Sequence, residues 1–473
     1  MTQPPHDLSA MFDAQSFREH GHRLIDLLAD HLAENLAGQG KVLEWREPIV
    51  EDARWQAPLP QQPSLTAQAL LEKLEHDILA GSLHIHHPRN LGHQVAPPLP
   101  MAALCDLVAA LTNQAMAVYE TGPTATMLER QVIRWLTELI GWSGAEGILT
   151  SGGAQANLTA LLAARQKMAG HDAWRQGIAA GAPLRLLACE HAHYSVSRAA
   201  AIMGLGTDAV VRVAADGQGR MDVVALTQAY RQTAAAGARI IAVVATAGST
   251  PSGSIDLLAE IGAFCREHSL WLHVDGAHGA SALLSPVYRD ALRGIELADS
   301  VVWDGHKLLY MPAAVSAVIF RDPQHSYAAF AQEASYLFQG KEAQEEAFNT
   351  SYRTLECTKR MMGLKLWAAF SLYGVEALGG LVEQVFATAR LLAEKLSAAE
   401  DFELLMPPQT NIVCFRYGAG DQSALRKKLV QSGAFHLTQV NLHSAVWLRT
   451  TVMNPLTAES DLDALMEAMR KND

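Results

Sequence analysis

The sequence predicts an α/β protein with a mainly parallel sheet, and three observations support this class. Between about residues 140 and 320, short β-rich runs alternate with helical stretches. Several of these runs are continuously apolar, as expected for strands that are buried on both faces. Polar side chains collect where the runs end, which is the edge at which parallel α/β sheets bind their ligands.

The strand predictions follow the apolar runs of this region. They are Gly147–Thr150, Leu184–Ala188, Ile240–Thr246, Leu270–Asp275, Ser300–Trp303 and Ala314–Phe320. A helix is predicted over Ala154–Lys167 between the first two strands. Its residues Leu158, Leu161 and Leu162 recur on one helical face.

Three regions of the chain differ in pattern, which predicts a helical arm over 1–85, a large domain over 86–375 and a small domain over 376–473. In the arm, one helical stripe consists of Phe17, Leu24, Ile25, Leu28 and Leu32. Prolines at positions 58, 60 and 63 then interrupt regular structure. The small domain is expected to be α+β, with elements at Glu376 onward (helix), Asn411–Tyr417 and Ala445–Thr451 (strands) and Ala458–Met469 (helix).

Composition limits the classes of function. Of the 473 residues, 49% are hydrophobic and 18% are charged, which is typical of a globular protein. The net charge of −12 argues against binding to nucleic acid or to anionic membranes. The five cysteines form no CxxC pair, so we expect reduced thiols, no disulfide framework and a cytoplasmic location.

No signal peptide or membrane-spanning run is predicted. The run His84-Ile85-His86-His87 has no acidic or cysteine partner at ligand spacing, so we expect no metal site there.

Two strand ends carry the side chains of most chemical interest. The strand ending at Trp303 is followed by Asp304-Gly305-His306-Lys307. A lysine at a strand end is by itself typical of a solvated charge. Asp275, however, ends a strongly apolar strand, where an unpaired carboxylate would be costly. It needs a cationic partner, and a protonated pyridine nitrogen is one.

The segment Thr150–Asn157 reads as a strand, a glycine turn and the start of a helix. A helix N-terminus of this kind binds phosphate through backbone N–H groups. The turn is also found in ordinary βα loops, and no GxxxxGK[ST] loop is present. A lysine, a buried carboxylate and a phosphate cradle are together the parts that pyridoxal 5′-phosphate (PLP) chemistry requires.

With these motifs the chain resembles the group II PLP-dependent amino-acid decarboxylases, which include the glutamate, cysteine-sulfinate, aromatic amino-acid and diaminobutyrate decarboxylases. The matching segments run from about Phe17 to the C-terminus. The resemblance implies fold type I, the aspartate-aminotransferase-like fold, with a large domain on a sheet of the seven-stranded type. It also implies a PLP cofactor and a homodimer with active sites at the interface.

The resemblance also implies roles for residues around the two strand ends. Lys307 would form the Schiff base, and His306 would lie near the phosphate. Asp275 would pair with the pyridine nitrogen, and Ala277 would lie under the ring. Ser300 occupies a position that also approaches the phosphate in the family.

Other cofactor contacts implied by the resemblance come from three loops. His193, in Glu190–Val196, would stack on the PLP ring, although a lone histidine is otherwise typical of a core residue. Thr246 would lie beside the cofactor, and Gly153 and Ala154 would bind the phosphate. The chain departs from the family at three positions, namely Ala154 for a frequent Ser, Gly276 for Ala and His278 for Trp or Tyr.

The substrate contacts are implied in the same way. Tyr336 matches the tyrosine that protonates Cα after CO₂ leaves, and Arg449 would clamp the α-carboxylate. Gln94 matches a side-chain-recognising Gln of the glutamate branch, and the segment of Tyr119, Tyr119-Glu120-Thr121-Gly122-Pro123, resembles that branch's Tyr-Glu-x-x-Pro, which implies a substrate contact for Tyr119 as well. From the residues alone, Tyr336 would be a core tyrosine and Arg449 a surface arginine.

The predicted function is therefore decarboxylation of an L-amino acid by a PLP enzyme. Gln94, the Tyr119-Glu120 pair and the segment around Tyr336 favour an acidic substrate such as glutamate, aspartate or cysteine sulfinate, whereas 2,4-diaminobutyrate and an aromatic amino acid stay open. Three alternatives remain from the sequence, namely an aminotransferase, an aldehyde-forming enzyme and a catalytically silent regulatory relative.

Overall fold

The computed structural model describes residues 8–330 and 346–472 and is built around a seven-stranded sheet. Its strands are β1 (Glu146–Thr150), β2 (Leu184–Cys189), β3 (Val210–Val213), β4 (Arg239–Thr246), β5 (Leu272–Asp275), β6 (Ser300–Asp304) and β7 (Ser316–Phe320). Their order is β1-β7-β6-β5-β4-β2-β3. The strands from β3 to β6 run parallel, and β7 is antiparallel to β1 and β6. The prediction of a mainly parallel α/β sheet is confirmed.

Apolar residues cover both faces of this sheet. Along β4, Val243 and Ala245 belong to one buried cluster. Their neighbours Ala242 and Val244 belong to a second cluster on the other face. This two-sided burial explains why the central strands are continuously apolar.

The strand β3 was missed in the sequence. It lies at the edge of the sheet, where only Val213 of its four residues is buried. An edge strand of this length gives no continuous apolar run. Two predicted strands also begin later than expected, at Leu272 and Ser316.

Fourteen α-helices of four or more residues surround the two sheets within the described residues. They are α1 (Ala14–Leu36), α2 (Pro48–Trp55), α3 (Ala67–Lys73), α4 (Pro100–Thr112), α5 (Pro123–Ile140), α6 (Gly153–Met168), α7 (Ala173–Gln176), α8 (Ser195–Ile202), α9 (Val223–Ala235), α10 (Leu258–Glu267), α11 (His325–Ala328), α12 (Gly363–Ala398), α13 (Gln422–Ser432) and α14 (Glu459–Asn472). None of the helices in the described ranges is long and apolar enough to cross a membrane.

The helix α12 starts earlier than the sequence predicted. It begins at Gly363 and contains a break at Gly374, where φ is 73°. Such a φ suits glycine, which lacks the Cβ that penalises this region. The predicted helix from Glu376 corresponds to the part after the break.

The C-terminal region contains a second, smaller sheet in which every pairing is antiparallel. Its strands are β8 (Phe402–Leu404), β9 (Ile412–Tyr417), β10 (Thr438–Leu442) and β11 (Ala445–Thr451), in the order β10-β11-β9-β8. His443 and Ser444 join β10 to β11 with positive φ angles, as a two-residue hairpin turn requires. The strand β11 carries Arg449 towards the large sheet.

Candidate active site

A cavity of about 330 Å³ lies at the carboxyl ends of β4, β5 and β6. Eight of the residues singled out in the sequence line it, namely Gly153, Ala154, His193, Thr246, Asp275, Ala277, His306 and Lys307. A larger cavity of about 440 Å³ lies beside Trp142 and Arg353, and no lysine or histidine of the described residues lines it. Of these two cavities, the one at the strand ends is therefore the one that contains lysine and histidine side chains, as expected for the ligand site of an α/β sheet.

Lys307 reaches the cavity from the turn that follows β6. Its Nζ lies 3.1 Å from Oδ2 of Asp304, which is the last residue of that strand. Asp304 is buried, and the Ser316 hydroxyl donates to its other oxygen at 2.5 Å. Nε2 of His306 lies 3.5 Å from the same carboxylate. The lysine is thus held at the cavity wall by an ion pair.

Asp275 ends β5 and is only 5% exposed. Its carboxylate accepts hydrogen bonds from the Asn157 side-chain amide at 2.9 Å and from the Ala277 backbone N–H at 3.2 Å. The carboxylate lies at the wall of the cavity, and both of these hydrogen-bond donors are neutral groups, so neither supplies a positive charge. This is the environment in which a cationic ligand atom would be bound.

Asn157 connects Asp275 to a buried polar chain. Because its amide nitrogen donates to Asp275 and to the Ser195 hydroxyl, its oxygen must be the atom that accepts from His273 Nε2. The other nitrogen of His273 then accepts from the hydroxyl of Ser300 at 2.8 Å. Burial lowers the pKa of His273 to about 4, so its ring is neutral.

The resemblance implied that Ser300 approaches the phosphate, and the structure places it elsewhere. Ser300 starts β6, at the level of His273 on the neighbouring strand, whereas the cavity lies at the other end. It is fully buried and also accepts from the Trp271 indole N–H at 3.0 Å. Its position is in the polar chain behind Asp275.

His193 is the other end of this chain. The Ser195 hydroxyl, which accepts from Asn157, donates to Nδ1 of His193 at 2.8 Å. In a neutral ring the hydrogen is then on Nε2. Burial lowers the pKa of His193, which favours this neutral form. The ring lines the cavity and lies 4.1 Å from the ring of Tyr194 between centroids.

The helix α6 begins at Gly153, directly beside Asp304. A Cβ on Gly153 would lie 2.9 Å from Oδ1 and 3.0 Å from Oδ2 of Asp304, so only glycine fits there. The first N–H groups of a helix have no partner within the helix and can bind an anion. The turn Ser151–Ala154 lines the cavity and thus offers a phosphate cradle.

These residues fit PLP. The cavity combines a lysine amine, a buried carboxylate and a helix N-terminus. In addition, the Thr246 hydroxyl is buried and has no hydrogen-bond partner within the described residues, which leaves a polar group for a ligand to satisfy.

Arg449 lies next to the cavity but does not line it. It is 6% exposed, and its Nη1 donates to the backbone oxygen of Thr250, which does line the cavity. Its Nε is buried without a partner among the described residues. Burial lowers the pKa of Arg449, although a guanidinium stays protonated in proteins.

The remaining predicted substrate contacts are not gathered in this cavity. Gln94 is buried, and its side-chain nitrogen has no partner within the described ranges. Tyr119 lies 40% exposed on a different, open cavity of about 820 Å³ together with Phe348 and Asn349. Tyr336 falls in 331–345, outside the described residues.

Several residues around this cavity have contacts that were not predicted from the sequence. Asn157 and His273 belong to motifs that were noted, and His273 is two positions before Asp275, so both face the same side of β5. This spacing of two residues is the feature of the sequence from which the position of His273 near Asp275 could have been predicted. The contacts of Asp304 with Ser316 and of Ser195 with Asn157 left no such feature in the sequence, because each joins two different elements of the fold.

His278, one of the departures from the family, lines the cavity as well. Its Nε2 lies 2.6 Å from the side-chain oxygen of Asn411, whose amide nitrogen donates to the backbone oxygen of Val452. The hydrogen of His278 is therefore on Nε2. Burial lowers the pKa of His278 to about 3, so the ring is neutral.

Comparisons with known proteins agree with this geometry. The model of the pyridoxal-dependent decarboxylase conserved domain matches residues 51–418. Mouse cysteine sulfinic acid decarboxylase is 32% identical over 90% of each chain. L-2,4-diaminobutyrate decarboxylase of Acinetobacter baumannii is 33% identical over 76% of this chain and 72% of that protein.

Solved structures match over a similar length. The crystal structure of mouse CSAD superposes with a TM-score of 0.90 at 29% identity and covers 97% of this chain and 99% of that one. Tryptophan decarboxylase of Catharanthus roseus superposes with a TM-score of 0.86 at 21% identity over 97% of this chain and 98% of the other, and supports the fold alone. With a family match over most of its length and relatives at this identity, the chain belongs to the pyridoxal-dependent decarboxylase family.

Proposed function

We propose that this PLP-dependent amino-acid decarboxylase acts on an acidic L-amino acid and releases the corresponding amine and CO₂. The observation that carries the proposal is one cavity that combines Lys307, Asp275 and the start of α6. The substrate class is supported by relatives that cover 90% of this chain, namely the cysteine sulfinic acid decarboxylase and the mouse acidic amino acid decarboxylase GADL1.

The cofactor, when bound, supplies a ring that accepts the electron pair left at Cα as CO₂ departs. Lys307 would hold it covalently, and the backbone N–H groups at Gly153 and Ala154 would bind its phosphate. Asp275 would keep a proton on the ring nitrogen, fixed in place by Asn157 and Ala277. The His193 ring would cover one face of the cofactor, with Ala277 on the other.

Arg449 would orient the substrate through its α-carboxylate. A planar guanidinium binds a carboxylate with two parallel hydrogen bonds. Its Nη1 is anchored on Thr250, and its free Nε leaves a donor for a ligand. Holding the carboxylate in one orientation selects which bond at Cα breaks. Tyr336 would then deliver the proton to Cα.

Recognition of the substrate side chain would involve Gln94 and Tyr119. The unpaired Gln94 amide nitrogen is a donor suited to a side-chain carboxylate or sulfinate. The relative that acts on 2,4-diaminobutyrate gives a second candidate substrate, since its identity to this chain is as high. The two substrates carry opposite side-chain charges, so one assay separates them.

The test is incubation of the PLP-loaded protein with L-aspartate, L-glutamate, L-cysteine sulfinate, L-2,4-diaminobutyrate and L-tryptophan. Amine and CO₂ are measured for wild type and for Lys307→Ala. We expect equal amounts of amine and CO₂ from an acidic substrate and none from the variant. Turnover of 2,4-diaminobutyrate or tryptophan alone would overturn the substrate class.

We infer that the enzyme works as a cytoplasmic homodimer. Apolar side chains stay exposed on one face of α4, namely Met101, Leu104, Val108 and Leu111, and on α1, namely Phe17, Ile25 and Leu28. Faces of this kind mark subunit interfaces. A partner would also explain why Tyr119 lies on an open cavity. The five free cysteines are consistent with a reducing compartment.

We also propose that the chain is divided into a helical arm over 1–85, a large domain over 86–375 and a small domain over 376–473.

A further inference from the structure

Asp304 places a negative charge against the phosphate cradle. Its two carboxylate oxygens lie 2.9 and 3.0 Å from the point that a Cβ on Gly153, the first residue of α6, would occupy. Asp304 is 2% exposed, and it lines the same cavity as the turn Ser151–Ala154. A phosphate bound at this helix N-terminus would therefore have a buried carboxylate as a near neighbour.

The contacts of Asp304 show how this charge is held. The Ser316 hydroxyl donates to Oδ1, while Lys307 and His306 approach Oδ2 at 3.1 and 3.5 Å. These are the contacts that the structure gives to its side-chain oxygens. Of these neighbours, Lys307 is the one whose ammonium charge most directly compensates the carboxylate.

Cofactor binding changes this balance, because Lys307 is the residue that would hold PLP covalently. Its nitrogen is then bonded to the cofactor and no longer free to stay paired with Asp304 as an ammonium. The carboxylate keeps Ser316 and His306 and faces a group that carries up to two negative charges. Two like charges a few ångströms apart in a partly buried site repel each other strongly.

We propose that Asp304 sets the affinity of this enzyme for PLP by opposing the phosphate group, so that the cofactor exchanges with solution. The carboxylate binds Lys307 in the cofactor-free protein and repels the phosphate in the loaded protein. Both effects favour release. Removing the charge while keeping the shape should therefore strengthen cofactor binding.

The test compares PLP with pyridoxal, which lacks the phosphate, in wild type and Asp304→Asn. Both ligands react with Lys307, so an effect through the lysine alone would change both dissociation constants equally. Asparagine still accepts from Ser316. We expect the dissociation constant for PLP, measured by absorbance titration and dialysis, to fall about tenfold or more in the variant. That for pyridoxal should change less than about threefold.

Inorganic phosphate provides a second readout that needs no reaction at Lys307. Its inhibition constant against PLP binding should also fall in Asp304→Asn. If that variant does not fold, Asp304→Ser carries the same expectation, because serine is neutral and short. Asp208→Asn removes an equal charge from an exposed position and should leave all three constants unchanged.

Three results would overturn the proposal. They are weaker PLP binding in Asp304→Asn, unchanged PLP binding, and an equal gain for PLP and pyridoxal. The variant Ser316→Ala separates charge from geometry, since it removes the hydrogen bond to Asp304 but keeps the carboxylate. It should not reproduce the tighter binding of PLP.

Discussion

At the scale of single residues, buried polar groups line the candidate active site, and one of them, Asp256, makes the stability of the protein depend on pH. Asp256 accepts from the backbone N–H groups of Met221 and Thr246 at 2.6 and 2.7 Å. Burial nevertheless raises its pKa to about 6. An unfolded aspartate has a pKa of about 3.9. The folded protein therefore holds this proton more tightly than the unfolded chain does.

Because the pKa of Asp256 is higher in the folded than in the unfolded protein, this residue makes the protein less stable as the pH rises. The stabilisation from the bound proton is complete below about pH 3.9 and is lost as the pH rises through about 6. Asp256→Asn has no titrating group at this position. We expect wild type to lose roughly 2 kcal/mol relative to this variant between pH 4 and 7. Urea unfolding at each pH measures the difference, and parallel pH curves would contradict it.

Asn157 is a second residue whose substitution should have a measurable effect, on both stability and PLP release. Asn157→Ala removes one hydrogen bond from Asp275 and leaves His273 Nε2 unpaired. We expect a loss of about 1–3 kcal/mol in stability together with faster release of PLP. Thr159→Ala is the control, because Thr159 is fully buried on the same helix but donates only to the Gln155 backbone oxygen. Equal PLP release from both variants would contradict the role of Asn157.

At the scale of elements, the helix α12 contains two neighbouring glycines, Gly379 and Gly380, that differ in the space available for a side chain. A Cβ on Gly379 would lie 2.5 Å from the backbone oxygen of Leu284, whereas a Cβ on Gly380 would meet nothing within 4 Å. Gly379 thus allows the close approach of α12 to the 3-10 helix Gly279–Leu284. Gly380 has only the entropic cost of glycine in a helix.

These two positions predict opposite effects of the same substitution. Gly380→Ala should stabilise the protein by about 0.5–1 kcal/mol. Gly379→Ala should destabilise it by about 1–3 kcal/mol, because α12 must shift away from Leu284. Thermal and urea unfolding of the two variants side by side provide the measurement. Changes of the same sign in both would contradict the packing described here.

At the scale of the whole molecule, the exposed apolar face of α4 predicts that two chains associate as a homodimer. We expect the wild type to have twice the chain mass by light scattering. The double variant Val108→Asp/Leu111→Asp places two charges on this face and should yield a monomer with weakened PLP binding. Val224→Asp alters an exposed apolar residue on α9 and should stay dimeric. A wild-type monomer that retains PLP would refute the dimer.

The sequence is sufficient to predict the class of fold, and it also predicts two residues as anchors of the chemistry. Continuous apolar runs identified the central strands, because burial on both faces leaves a local pattern. The chemical demands of PLP, together with the family motifs, predicted Lys307 and Asp275 as these anchors, and both line the cavity at the carboxyl ends of the strands. The short edge strand β3 could not be predicted from the sequence, since a largely exposed strand needs no continuous apolar run.

The contacts around Lys307 and Asp275, in contrast, depend on the tertiary structure. Asn157 and Asp275 are separated by 118 positions and meet because α6 packs beside β5. Gly153 and Asp304 meet in the same way, and Ser300 proved to lie behind the cavity rather than in it. Local patterns fix which face of an element is buried, but hydrogen bonds between distant elements depend on how those elements pack.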